Sequence, residues 1–323
     1  MSSAAPGATP AIATVAVVGT GVIGRSWAQV FARAGCNTRL YDPDHAQVQR
    51  ARDAIARSVD YDVAEGFETP VSAVACMERL SLHADLRAAL SGAGYVQESG
   101  PEDFGLKRAI HAELDRLADP SAILASSTSA MDMTRIASGL PGAARCIVAH
   151  PVNPPHVVPV VEVLPGKQTD PAVVSRTIEF LRAVGQTPVP MNFYVPGFLL
   201  NRMQAALLRE ALQLVERGVA DVAAVDAVIR DGLGLRWALM GPFGVANTNA
   251  DGGAREYFTR YGQAYIELMN DLSPTPAFNP EQIERWGRAT DAMVGATPRD
   301  RLRAWRDRLV RRIRRLKQEQ PAP

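Results

Sequence analysis

The chain is poor in lysine: only Lys107, Lys167 and Lys317 stand among its 35 basic residues. Against 34 acidic residues the formal net charge is +1, so no global field draws the protein to nucleic acid or to a membrane surface. Cysteine is scarce as well. Cys36, Cys76 and Cys146 are odd in number and widely spaced, which fits neither a disulfide framework nor a metal site and suits a reducing, cytoplasmic setting. No apolar run approaches the length needed to span a bilayer. The opening MSSAAPGATPA lacks the basic start and apolar core of a signal peptide, so residues 1–11 are expected to be a disordered leader. Internal repeats and low-complexity tracts are also missing. With 47% hydrophobic and 21% charged residues in 323, the composition is that of a globular protein large enough for two domains.

What is present starts with a nucleotide-binding pattern. The β-branched run Thr14–Val18 flows into Gly19-Thr20-Gly21-Val22-Ile23-Gly24. An amphipathic helical segment with Trp27, Val30, Phe31 and Ala34 follows, Gly35 stops it, and a second strand, Thr38–Tyr41, ends on Asp42. Strand, G-x-G-x-x-G, helix, strand and acid together make the complete dinucleotide fingerprint. Gly19 allows the tight turn, Gly21 lets the backbone approach the pyrophosphate, and Gly24 lets helix and strand pack closely. Asp42 would accept the adenosine ribose hydroxyls and repel a 2′-phosphate. No arginine follows it, so the expected cofactor is NAD.

Residues 44–79 read as helical, with seven carboxylates, four arginines and no lysine; the plain reading is a solvated face. The α/β alternation then resumes: a strand at 94–97, a helix at 103–117, a strand at 122–126 and a helix at 131–140. Such alternation implies a parallel sheet with ligands beyond the carboxyl ends of its strands. Glu98 to Glu102, Ser127-Thr128-Ser129 and His150 all fall on that edge. Lys107 could pair with Glu102 or reach the cofactor, a surface lysine being the default.

The stretch Ile147–Val163, IVAHPVNPPHVVPVVEV, joins two short apolar runs through a Pro/Asn turn and reads as neighbouring strands. It can bring His150 beside Glu162. That pair is either a general base with its partner or a buried histidine satisfied by a convenient carboxylate. Thr187–Val189 suits an edge strand, given Pro188 and Pro190. From Gly197 the pattern shifts to amphipathic helices, expected at 197–217, 221–231, 253–271, 279–293 and 299–319, with Asn201 in the first turn and Arg236 on a glycine-punctuated loop. The fold class expected is α/β: an N-terminal Rossmann-type doubly wound sheet over residues 12–195, followed by an all-α C-terminal domain over 196–323.

These residues resemble the 3-hydroxyacyl-CoA dehydrogenase superfamily, and within it the branch that holds L-gulonate 3-dehydrogenase and lambda-crystallin. The matching stretches are VVGTGVIGRSWA (17–28), QESGPEDFGLK (97–107), SSTSAM (126–131), AHPVNPPHVVPVVEVLP (149–165), PGFLLNRMQ (196–204) and GLGLRWALMGP (232–242). The resemblance implies His150 as general base, Glu162 as its orienting partner, and Ser129 and Asn201 as contacts of the reacting oxygen. It also implies that Glu102 and Lys107 hold the nicotinamide half of NAD, and that a homodimer forms through the helical domain. Arg236 matches an arginine of the gulonate branch, and its guanidinium suits a substrate carboxylate bidentately. Asn153 reads as a pocket residue. The acyl-CoA enzymes carry lysines on the excursion after the second strand, whereas residues 44–79 here would repel CoA phosphates. A small free hydroxy acid is therefore the expected substrate, with no metal. A 3-hydroxyacyl-CoA ester, a carnitine-type substrate and an NAD-binding structural protein of the crystallin kind are the alternatives. His156 is a departure, standing where the resemblance leads one to expect tyrosine.

Overall fold

The computed structural model describes residues 10–272 and 274–321; the expected leader lies, but for residues 10 and 11, outside them. The chain divides into two compact units, Met1–Leu199 and Leu200–Pro323.

The first unit is built on one eight-stranded sheet: β1 (Thr14–Val18), β2 (Asn37–Tyr41), β3 (Leu80–His83), β4 (Tyr95–Glu98), β5 (Ile123–Ser126), β6 (Cys146–Pro151), β7 (Val160–Pro165) and β8 (Thr187–Pro190), in the spatial order β3-β2-β1-β4-β5-β6-β7-β8. The first six follow the doubly wound nucleotide-binding order. All neighbours are parallel except β6 and β7, which pair antiparallel. The central strands are near-continuous apolar runs because helices cover both faces. The helices are α1 (Val22–Arg33), α2 (His45–Ala64), α3 (Pro70–Glu78), α4 (Leu86–Leu90), α5 (Phe104–Leu117), α6 (Met133–Ile136) and α7 (Pro171–Ala183). Aspartates at 44, 85, 103, 132 and 170 cap five of them by accepting a first-turn backbone N–H, each worth about 1 kcal/mol.

Two apolar clusters form, one on each face. One holds Val15, Val17, Trp27, Phe31, Tyr95 and Phe180. Trp27 and Phe31 stack at 5.1 Å, and Tyr95 lies 4.7 Å from Phe180. The other holds Val18, Val96, Leu124, Met133, Val148 and Phe198. Each fully buried large side chain contributes roughly 1.5–3 kcal/mol, which anchors the strand ends where polar residues gather. All three cysteines are buried and free. Desolvation pushes Cys36 and Cys76 up to about 11 and Cys146 up to about 12, leaving inert thiols.

Several elements differ from expectation. The 44–79 excursion breaks into α2 and α3 around Gly66, which takes a positive φ of 70°, and α2 buries Val48, Ala51, Ile55, Val59 and Asp62 instead of standing free in solvent. The helix expected at 131–140 shrinks to α6. β3, α4 and α7 had no counterpart in the sequence reading.

The second unit is helical: α8 (Leu200–Glu216), α9 (Val222–Ala227), α10 (Gly234–Trp237), α11 (Pro242–Thr248), α12 (Gly253–Asp271), α13 (Pro280–Val294) and α14 (Arg299–Glu319). A π-helical turn, Val228–Leu233, runs straight into α10. Arg236 therefore sits on a helix and not on the expected loop; two glycines did not suffice to break the backbone ladder.

Candidate active site

At the carboxyl edge of β1 the chain turns on Gly19 at φ +89°, and its N–H donates to the Tyr41 carbonyl at 2.9 Å. A Cβ there would come within 2.7 Å of the Ser99 backbone, and one on Gly24 would collide with the Gly19 carbonyl oxygen. Gly21 faces open space. It precedes α1 without a side-chain cap, so the first-turn N–H groups are left to receive an anion. A cavity of about 680 Å³ opens here, lined by Gly19, Gly21, Val22, Ile23 and Asp42 among others. Asp42 accepts from the Thr20 amide at 2.8 Å and from the Asp44 amide at 3.0 Å. These bonds fix the carboxylate at the cavity wall, where ribose hydroxyls would reach it. The residues present fit NAD.

The strand ends of β4 and β5 are tied together by a carboxylate that the sequence reading did not single out. Glu98 is fully buried. Its side chain accepts from Lys107 Nζ at 2.9 and 3.1 Å, from the Gly100 amide at 2.6 Å and from Ser126 Oγ at 2.5 Å. Lys107 is 1% exposed, far from the surface position expected by default, and also donates to the Gly100 carbonyl. Its Nζ lies 3.5 Å from Glu102, so the alternative of pairing with Glu102 is met in geometry. Glu102 in turn accepts from Thr128 Oγ1 at 2.6 Å, the Ser129 amide at 2.8 Å and Ser129 Oγ at 3.2 Å. Burial would raise its pKa, but the bonds from Thr128 and Ser129 and the charge of Lys107 outweigh it and hold the carboxyl below the usual range. The only sequence signal for Glu98 was its place at the end of a buried strand, next to Ser99 and Gly100.

His150 and Glu162 face each other as directly opposed residues of β6 and β7. Nδ1 of His150 lies 2.7 Å from Glu162 Oε2, and both side chains are buried. The other carboxylate oxygen accepts the Leu199 amide at 2.7 Å. Phe198, fully buried, presents its ring to His150 at 5.5 Å and 67°. Gly197 and Phe198 both adopt positive φ, 77° and 51°. A left-handed conformation costs a non-glycine residue roughly 1–2 kcal/mol, and here it points the Phe198 ring and the Leu199 amide at the pair. The antiparallel switch from β6 to β7 thus gives a histidine whose Nδ1 is committed to Glu162, with Nε2 as the nitrogen outside that bond. The Pro/Asn turn between the strands spans residues 152–159. Asn153 is exposed there, beside a cis bond to Pro154.

Asn201 and Arg236 belong to the helical unit. Asn201 is half-buried in the first turn of α8 and Arg236 is exposed on α10. Among the described residues, no cluster of His, Cys, Asp and Glu is placed to hold a metal ion, and no helix is long and apolar enough to cross a membrane.

Comparison with known proteins agrees with this geometry. Residues 14–193 match the NAD binding domain of 3-hydroxyacyl-CoA dehydrogenase, and residues 197–288 match its C-terminal domain. The chain is 40% identical to a lambda-crystallin homolog of Bos taurus, over 99% of this chain and 98% of that protein. It is 39% identical to an L-carnitine dehydrogenase of Streptomyces griseus, over 80% of this chain and 76% of that one. Among solved structures, 5-formyl-3-hydroxy-2-methylpyridine 4-carboxylic acid 5-dehydrogenase, an NAD+ dependent dismutase, superposes with a TM-score of 0.80 at 30% identity, covering 94% of this chain and 98% of that one. With its dinucleotide cradle and both domains of the family matched, the chain belongs to the 3-hydroxyacyl-CoA dehydrogenase family of NAD-dependent oxidoreductases.

Proposed function

We propose that the protein oxidises the 3-hydroxyl of a small free hydroxy acid, in the manner of L-gulonate to 3-dehydro-L-gulonate. The observation that carries this reading is the buried pair of His150 and Glu162, held at 2.7 Å with the Leu199 amide on the second carboxylate oxygen. When bound, NAD supplies the acceptor for the substrate's hydride. Nε2 of His150 takes the hydroxyl proton, and Glu162 stabilises the imidazolium that results. Ser129 and Asn201 position the oxygen as it becomes a carbonyl. Glu102 serves the nicotinamide end of the cofactor directly. Lys107 serves it through Glu98 and Gly100, because its own donors are spent on them. Asp42 holds the ribose, Arg236 takes the substrate carboxylate and Asn153 lines the pocket.

A free acid is supported by the L-carnitine dehydrogenase relative and by the carboxylic acid substrate named for the structural neighbour. A carnitine-type substrate is the second reading, since its relative is almost as similar. A homodimer through the helical unit is proposed from its apolar surface: α8 buries no residue and exposes Met203 and Leu208, and α12 exposes Phe258, Ile266, Leu268 and Met269. The cytoplasm is proposed as its compartment from the three unpaired thiols.

Steady-state kinetics with L-gulonate, carnitine and acetoacetyl-CoA tests the substrate class. In the same assay, His150→Gln should lower kcat by about 10²–10⁴-fold with NADH binding retained. Near-normal turnover of that variant would remove the base.

A further inference from the structure

Gln97 stands one residue before Glu98 on β4, so its side chain points to the opposite face of the sheet, the face of Tyr95. It is fully buried, and both ends of its amide are engaged. Oε1 accepts from the Tyr95 hydroxyl at 2.9 Å. Nε2 donates to Ser127 Oγ at 2.8 Å and, in a longer bond, to the Ala149 carbonyl at 3.4 Å. Tyr95 is itself held in place, its ring 4.7 Å from Phe180 and 5.9 Å from Phe31. The register partner of Gln97 on β5 is Ala125, whose small side chain leaves the amide room to reach across to β6.

These bonds continue the sheet where its ladder stops. β5 pairs with β6 as far as Ser126 and Val148. The next two residues of β6, Ala149 and His150, are laddered to Val163 and Glu162 of β7. On the β5 side Ala149 is met by the amide of Gln97. The same amide holds Ser127, whose Oγ lies 2.9 Å from Ser99 Oγ, and Ser99 lines the cavity beside Gly19 and Gly21. One buried side chain thus joins the wall of the cofactor cavity to the residue that precedes His150.

We propose that Gln97 is a positioning residue for the reaction: by holding the end of β6 to Ser127, it sets where His150 stands relative to the cofactor. This rests on the reading of His150 as the base, and not on the identity of the substrate. Without the amide, the strand end that carries the base is held by β7 alone. A displacement of about 1 Å in a reacting group can cost on the order of 10²-fold in rate.

The test is kcat on whichever of L-gulonate, carnitine and acetoacetyl-CoA the wild type turns over fastest. Gln97→Met, close in length and apolar, should lower it by about 10-fold or more. In the His150→Gln background the same substitution should cost less than about 2-fold, because the residue it positions is gone. A purely structural role would cost as much in both backgrounds. Gln97→Met also leaves the Tyr95 hydroxyl buried without an acceptor, which lowers Tm. Tyr95→Phe combined with Gln97→Met makes both partners apolar, so Tm should return toward wild type while kcat stays low. That double variant carries the comparison should Gln97→Met fail to fold. Unchanged kcat in Gln97→Met, equal losses in the two backgrounds, or a kcat that recovers with Tm overturns the proposal and leaves the base standing. Normal turnover in His150→Gln removes the base and this proposal with it, as does a wild type inactive on all three substrates.

Discussion

The buried pair of Glu98 and Lys107 makes a quantitative demand on stability. Glu98→Gln removes the nearer of the two carboxylates that Lys107 pairs with, at 2.9 Å, in a place where the lysine side chain is 1% exposed and the carboxylate fully buried. The amide can still accept the Gly100 N–H. That oxygen, in the place of Oε1, also still accepts from Lys107, and the amide NH2 then faces Ser126 and Lys107, both of which donate to the native Oε2. What remains for Lys107 is a neutral amide oxygen, the Gly100 carbonyl and Glu102 at 3.5 Å. Breaking one side of a buried pair costs about 3–5 kcal/mol, and in a unit of this size each kcal/mol is worth about 2–4 °C in Tm. Glu98→Gln should therefore melt roughly 6–20 °C below wild type. Lys107→Met should lose a comparable amount, and the double variant less than the sum, because the two groups are in contact. Circular dichroism melts of the four proteins measure this. NADH titration should show weaker binding in Glu98→Gln, since Glu102 and the 99–103 loop hang on the same carboxylate. A Glu98→Gln protein that melts within about 2 °C of wild type, or strictly additive losses, would refute the clamp.

Two further outcomes follow from the site. Asp42→Asn keeps an acceptor for the Thr20 amide but removes the charge proposed to meet the ribose. The KM for NAD should rise about 10-fold and discrimination against NADP should shrink, and an unchanged NAD-to-NADP ratio of kcat/KM would show that Asp42 does not set the preference. His156 makes stability depend on pH: the native ring stays neutral down to about 3, whereas the unfolded chain takes up the proton near 6.5. The unfolded state then binds more protons between those values. Stability present above pH 6.5 is lost as pH falls through that window, with a slope approaching about 1.4 kcal/mol per unit. Urea denaturation of wild type and His156→Phe at pH 7 and pH 5 checks this: the difference between the two proteins must change in favour of the variant at pH 5.

The parts of this molecule that local chemistry dictates were legible in the sequence. The glycines at 19, 21 and 24 each answer a separate backbone requirement, and Asp42 follows from the end of β2. The opposition of His150 and Glu162 was legible too, because the two strands share a turn and neighbouring apolar runs pair. Long-range partners escaped. Glu98 sits among apolar strand residues, and nothing local announces that a lysine nine positions on will fold back over it. Phe198 looks like an ordinary apolar residue of a helix start, yet its positive φ turns the following amide onto Glu162. β3 and α7 were missed because short amphipathic segments show too little periodicity to stand out. The loop expected around Arg236 became helix because the glycines cost less than the backbone hydrogen bonds gained by continuing.

The acidic excursion after β2 has a different meaning in three dimensions from the one its composition suggests. Asp62 is fully buried and Glu68 nearly so, and Arg33 of α1 engages both; Asp44 caps α2 and pairs with Arg50. Three of its seven carboxylates thus fasten the excursion to the sheet unit or to itself, and their charge is largely met before any ligand arrives. Repulsion of CoA phosphates by net charge is correspondingly weaker than a count of residues implies. A preference for the proposed free acid over a CoA ester would then have to come from contacts other than this excursion.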